Sequence, residues 1–347
     1  MKYFILLFIC SLLLIGNENY ISTQYTSLQH EDTPINTFLS VYTSIEKKFS
    51  FHNGDLEINM GAKGLSIIKK SGDFELFNTI NKKKDMAIVD NLSIDYYPTS
   101  NILMSIGIEK LDINLLRGSF DGILLSGVFN DFLIKTFYFN RYSVLYPTYY
   151  KNEKINLLGT NLSLKKENFE SEILWFNYDD QNVQGFFIAF HLNDFTLATE
   201  HIAFSSIPKE DEKAYKAYLS YDLHNFHMEA GYYNVYEGSL ENIYTLGGTE
   251  FKTFELNSFL NQNNSKNIYL DLNYDNSNFY SKVHFARTTF LGDDNLQYTG
   301  DELGITLRTY YKKIELSTTY FLEKSNDEYN SKLKRAEWLQ INMGYKF

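Results

Sequence analysis

What most constrains this chain is an alternation. After residue 15, apolar and polar residues exchange places at every second position, in segments of about ten residues. No long apolar run recurs there, and the longest uninterrupted stretches are short, such as Phe186–Phe190. A helix that crosses a bilayer needs about 20 apolar residues, so a polytopic helical protein is excluded. The mean hydropathy of −0.31 is also too polar for a helical membrane bundle. Period-2 alternation sets one face of each segment in an apolar medium and the other against water. Ile268, Leu270, Leu272 and Tyr274 share one face, with Tyr269, Asp271 and Asn273 on the other. Leu303, Ile305, Leu307 and Tyr311 oppose Gly304, Thr306, Arg308 and Tyr310. Ile314, Leu316, Tyr320 and Leu322 oppose Glu315, Ser317, Thr319 and Phe321. Tyr215–Leu223, Phe226–Tyr233 and Phe186–Leu192 repeat the pattern. A segment of about ten residues is long enough to span a bilayer as a tilted strand.

The connectors alternate as well. Tight polar turns are expected near Lys166–Asn168, Asn193–Asp194, His224–Asn225, Asp275–Asn278 and Lys312–Lys313. Between them fall longer polar loops at Asp179–Gln184, Ser206–Lys213, Glu237–Lys266, Leu291–Asp301 and Glu323–Arg335. The first half reads as strands at 50–60, 62–70, 73–80, 86–98, 102–110, 120–129 and 131–142. A loop Arg141–Lys154 and a strand at 156–166 follow. The count is 18 strands, or 16 if 50–70 is one long strand or partly a periplasmic tail. Pro34, Pro98, Pro147 and Pro208 all fall in loops or turns, where a missing N–H costs no ladder bond. In Leu115–Gly122 the glycines suggest a tight turn that needs positive φ.

The N-terminus is of another kind. Lys2 precedes an apolar run from Tyr3 to Ile15, a charged segment and hydrophobic stretch of signal-peptide length. Cleavage is expected between Gly16 and Gln24. The domain reading is therefore a signal peptide at 1–20, an N-terminal periplasmic segment or first strand at 21–49, and a barrel over 50–347. The single cysteine, Cys10, lies inside the apolar run. That excludes an internal disulfide framework, a multi-cysteine zinc site and an iron–sulfur cluster. The net charge of −11 (32 basic against 43 acidic residues) argues against nucleic acid as a partner.

The most specific signal is the C-terminus. Leu339, Ile341, Met343, Tyr345 and Phe347 form an apolar face, and Gln340, Asn342, Gly344 and Lys346 form the other. This resembles the terminal strand of bacterial outer-membrane β-barrels, whose final aromatic is read by the barrel assembly machinery. In architecture the chain is similar to porin-like proteins. The fold class so implied is all-β: a transmembrane antiparallel up-and-down β-barrel of 16–18 strands, with short periplasmic turns and long extracellular loops. A closed sheet satisfies every backbone N–H and C=O within the protein, which hydrocarbon demands. The 28 Tyr and 28 Phe suit girdles at the two lipid–water interfaces.

The resemblance implies passive diffusion of small hydrophilic solutes or ions through a wet lumen in the bacterial outer membrane. Membrane lipid and lipopolysaccharide would be its surroundings, and a homotrimer is a possible assembly. On the polar strand faces, Lys216, His227, Glu229, Asp271, Lys282, His284, Arg308 and Glu315 are the pore-lining candidates. Opposed charges of this kind create a transverse field and a size limit. The net charge gives a mild expectation of cation preference. Constriction needs a loop folded inward, and 141–154 and 237–266 are long enough, with the second favoured. No cofactor, metal or catalytic group is expected. His224, His227 and Glu229 straddle a turn rather than forming a ligand set, and no Gly-x-Ser-x-Gly pattern accompanies His191 or His201. The alternatives are a barrel enzyme acting on lipid, a specific-substrate transporter, and a soluble adhesin that would extract without detergent.

Overall fold

The computed structural model describes residues 18–30, 36–51, 54–71, 85–113, 116–146, 149–179, 181–206, 211–237, 264–292, 294–326 and 335–346. They form one antiparallel sheet of 18 strands. In the first half these are β1 (Glu18–His30), β2 (Asn36–Phe51), β3 (Leu56–Ser71), β4 (Asp85–Thr99), β5 (Ile102–Ile113), β6 (Leu116–Phe129), β7 (Phe132–Tyr146), β8 (Tyr149–Lys166) and β9 (Phe169–Tyr178). In the second half they are β10 (Gln181–Leu192), β11 (Phe195–Ser206), β12 (Glu212–Leu223), β13 (Phe226–Glu237), β14 (Lys266–Asp275), β15 (Phe279–Leu291), β16 (Gln297–Tyr311), β17 (Ile314–Ser325) and β18 (Arg335–Lys346). Every strand pairs with its sequence neighbours, and β1 pairs with β18, so the sheet closes. Closure leaves no free edge, which is the physical condition for a sheet in hydrocarbon.

Register turns the sequence alternation into an outside and an inside. Ile268, Phe285, Leu307, Leu316, Ile341 and Met343 all point outward and are exposed. Asn267, His284, Glu302 and Glu323, at the alternate positions of β14–β17, point inward and are buried. Tight two-residue turns join the strands at one end. There Asn130, Asn193, His224 and Lys312 take φ of 54°, 53°, 53° and 55°, a left-handed conformation that short polar side chains tolerate best. Just inside these turns, on the outer face, aromatic rings pair across strands. Phe195 meets Tyr221 at 4.5 Å and Phe226 meets Tyr274 at 4.8 Å between centroids. This is an interfacial girdle.

Several expectations are corrected. The strands expected at 50–60 and 62–70 are a single strand, β3 (Leu56–Ser71), while Phe51 ends β2. The count stays at 18 because residues 18–51 form two strands of the barrel wall, not a periplasmic segment or one first strand. The expected strand at 73–80, the signal peptide and Phe347 lie outside the described residues. The loops expected at 141–154 and 179–184 are two-residue connections between longer strands. Asp179 takes φ 50°, and its Oδ1 accepts the Asn156 N–H at 2.9 Å, which ties the end of β9 to β8. The turn expected within 115–122 is not found there: Leu116–Phe129 is β6, and Gly118 and Gly122 are in it. They are glycines because of close approach: a Cβ on Gly118 would lie 2.5 Å from the Tyr142 ring. One on Gly122 would lie 2.1 Å from the Tyr138 carbonyl oxygen. Pro98 stands in β4, at the register irregularity between Tyr96 and Thr99.

Candidate functional site: the barrel lumen

Apart from one register irregularity at Lys213/Ala214, the strands β12–β17 keep their alternation, so their inner faces carry a continuous file of charge. At the short-turn end His227 Nδ1 meets Asp222 Oδ1 at 2.7 Å, and its Nε2 lies 3.9 Å from Glu229. Glu229 accepts from the Tyr269 hydroxyl and pairs with Lys216 at 3.3 Å. On the next strand Asp271 holds Lys282 at 2.7 Å and contacts His284. His284 in turn lies 3.8 Å from Glu302, to which Thr288 donates at 3.4 Å. Nearer the short-turn end Arg308 pairs with Glu315 at 3.4 Å and donates to the Tyr310 hydroxyl at 3.2 Å. All eight candidates read from the sequence thus face the lumen. Six of them form one file, and Arg308 and Glu315 form a separate pair. Leu339, Ile341, Met343 and Tyr345 of the terminal strand face outward.

The opposite wall is built differently. In β4 the ladder skips Asp90, with Val89 opposite Ala62 and Asn91 opposite Gly61. This bulge turns Asp90 inward, with a side chain only 3% exposed. Lys63 Nζ reaches it at 2.8 Å and Lys110 Nζ at 2.9 Å, while Ser119 donates to it at 2.8 Å. Lys110 also pairs with Glu46. Below this cluster Asn59 and Ser105 each donate to Asp95 at 2.7 Å, and Ser105 also contacts Glu109.

Those contacts fix the position of the β5–β6 hairpin. Lys110 is on β5 and Glu46 on β2, three strands away. Three inter-strand spacings are roughly 14 Å, beyond a lysine side chain's reach of about 6 Å, if both strands lie in the wall. The hairpin tip therefore leaves the wall and folds inward over β3 and β4. Its bend is at Gly107 and Gly122, which face each other in register. Gly107 has φ of +119°, and a Cβ there would sit 2.3 Å from the Leu92 carbonyl oxygen. The apolar face of the tip, with Leu111, Leu116 and Phe120, packs on Phe139 and Tyr142. The Phe120 ring meets both at a tilt, with centroids 5.2 and 5.0 Å away. The neighbouring end of β7 also comes inward: Leu145 is fully buried with Leu65, Ile67 and Met86 of β3 and β4. So 141–154 does reach inward, as paired strand ends rather than a loop. The favoured 237–266 lies largely outside the described residues.

Beside the folded-in tip is a cleft of about 390 Å³, lined by Lys63, Asp90, Lys110, Leu111, Asp112, Arg117, Gly118 and Ser119. It carries both signs of charge. Each of its cations has a carboxylate, since Arg117 also pairs with Asp112 at 2.8 Å. Sequence reasoning missed this cluster because a bulge at Asp90 and a bend at Gly107 interrupt the alternation that identified the other wall. Two facing strand glycines, Gly107 and Gly122, were the available signal.

No protein-family model matches the chain, and no curated relative matches at the sequence level. Solved structures do match in fold. The crystal structure of Acinetobacter baumannii OccAB1 superposes with a TM-score of 0.79 at 10% identity, covering 95% of each chain. Pseudomonas aeruginosa OccK8 (OprE) gives 0.74 at 10% identity, over 95% of this chain and 97% of that one. Acinetobacter baumannii OccAB2 gives 0.74 at 14% identity with the same coverage. The chain has the Occ barrel fold. The resemblance to bacterial outer-membrane porin-like barrels therefore holds for architecture along nearly the whole length. Among the described residues no cluster of metal-ligating side chains is present.

Proposed function

We propose that this protein is an outer-membrane porin through which small hydrophilic solutes or ions diffuse passively. The observation that carries this reading is the pairing of an apolar outer face with an inner face bearing a file of ionised groups along the barrel wall. A file from Asp222 to Glu302 offers a permeating solute a polar path, and the folded-in β5–β6 tip narrows it. Acids outnumber bases on β14–β17, where Asp271, Glu302, Glu315 and Glu323 stand against Lys282 and Arg308. This supports a preference for cations. The paired charges on two facing walls support a selective channel over an unselective one.

The same reading takes 1–20 as a removable signal. The pairing of β1 from Glu18 supports a signal shorter than 1–20, cut before Glu18 at the early side of the expected window. The outward face of β18 would then serve the assembly machinery and lie among membrane lipid. Liposome swelling tests the proposal: vesicles holding the refolded mature chain should swell in isotonic solutions of a small amine or sugar. Vesicles that stay as tight as protein-free ones would overturn it.

A further inference from the structure

One part of the charged file is built in more detail than hydration of a pore wall requires. The Lys216 ammonium lies over three tyrosine rings, at 4.4 Å from Tyr218, 5.3 Å from Tyr233 and 5.5 Å from Tyr269. Glu229 closes the fourth side at 3.3 Å and is itself held by the Tyr269 hydroxyl. Three strands contribute. Gly231 is in register with Tyr218 on one side and Tyr269 on the other. A Cβ on Gly231 would meet the Tyr269 ring at 2.4 Å, so the bare backbone there is what lets that ring lie across β13. Tyr233 and Tyr269 are buried, at 1% and 3% exposed. Lys216 and Glu229 keep 12% and 19% of their side chains open to the lumen.

Aromatic faces plus one carboxylate are the recognition chemistry of an organic ammonium group. We propose that this cage is a binding station for the ammonium groups of permeating solutes, with the Lys216 ammonium as its displaceable resident. Lys216 can leave without being stranded. Glu200 stands directly across the β11–β12 ladder from it and offers a second carboxylate, so the lysine charge stays paired when a solute takes its place. The inference deepens the pore reading and rests on it only for the route by which solutes arrive.

The test is titration of the refolded full barrel in detergent with propylammonium chloride, at ionic strength matched with KCl and with 1-propanol as the neutral control. Tyrosine fluorescence reports occupancy. The expected result is saturable binding that tightens about tenfold in Lys216→Ala, where the resident is gone, and that is lost when Glu229→Gln is added. Lys216→Met, which keeps the aliphatic stem, serves if the alanine variant does not refold. Propylammonium binding unchanged by removal of the lysine, or no tighter than that of 1-propanol, overturns the proposal. Binding by a barrel that conducts nothing would support the cage while refuting the porin reading. Conductance with no ammonium effect in either lysine variant would do the reverse.

Discussion

The two walls of the lumen differ in how they make an inner surface. From β12 to β17 the ladder is interrupted once, at the Lys213/Ala214 end of β12, and along the rest every second residue points inward by the geometry of the strand alone. From β2 to β7 the regular ladder is broken at the Leu39/Ser40, Gly61/Ala62, Asp121/Gly122 and Phe139/Arg141 steps. The regular wall yields a flat file of charges. The interrupted wall yields a hairpin that leaves the sheet and a cluster in which one carboxylate serves two lysines. Among the described residues, interruptions are therefore what carries strand ends into the lumen.

The largest effect should come from forcing the interrupted wall to be regular. A side chain on Gly122 meets carbonyl and Cα atoms of β7 at 2.1 and 2.9 Å, which only a backbone shift can relieve. Gly122→Val should cost about 3 kcal/mol and swing the β5–β6 tip off its seat. Single-channel conductance should then rise, whereas an unchanged conductance would mean that the tip does not limit the pore.

The next test sets the two walls against each other. Asp90→Asn leaves both Lys63 and Lys110 without their buried partner, and Asp271→Asn deprives Lys282 and His284. Breaking a buried pair costs about 3–5 kcal/mol. The Asp90 side chain is 3% exposed and that of Asp271 is 9%, so water can repair the second site more readily. Denaturant unfolding in detergent should show the larger loss for Asp90→Asn, and equal losses would contradict the contrast drawn here.

The smallest effect concerns a connection on the regular wall. Asp294 lies in the connection between β15 and β16, where the Tyr298 hydroxyl donates to it at 2.6 Å and the Leu296 N–H at 3.0 Å. These bonds, the tyrosine first, hold its carboxyl below the usual carboxylate value of 3.8. A depressed carboxyl contributes stability that is fully present above its unfolded pKa and is lost as pH falls through the folded one. The Leu296 amide should therefore titrate by NMR with a midpoint below 3.8, and Tyr298→Phe should move it upward. A wild-type midpoint at or above 3.8 would show that the bond does not persist in solution.

How much of this was legible in the sequence follows the same division. Asp271, Lys282, Arg308 and Glu315 could be assigned to the inner face from alternation alone, because a regular strand has no other way to place them. The C-terminal strand was legible for the same reason. Asp90, Lys110 and Glu46 were not, since a bulge shifts the parity that such reading depends on. Their meeting also needs a hairpin to fold inward over its neighbouring strands, a tertiary fact without local signature. Residues 141–154 were misread because Lys, Asn and Pro there look like loop, while pairing with a neighbouring strand end carries them inward as sheet. The partners of Lys216 were half legible: its inward face followed from alternation, but the convergence of three tyrosines over Gly231 depends on the register of three strands.

The account's central claim is that this barrel holds an open, charged, water-filled path. The most direct measurement is single-channel recording of the refolded mature chain in a planar bilayer, with the reversal potential taken in a salt gradient. Discrete conductance steps with a reversal shifted toward the cation potential are the predicted result. A folded, heat-modifiable barrel that stays silent, or steps with an anion-shifted reversal, would contradict it.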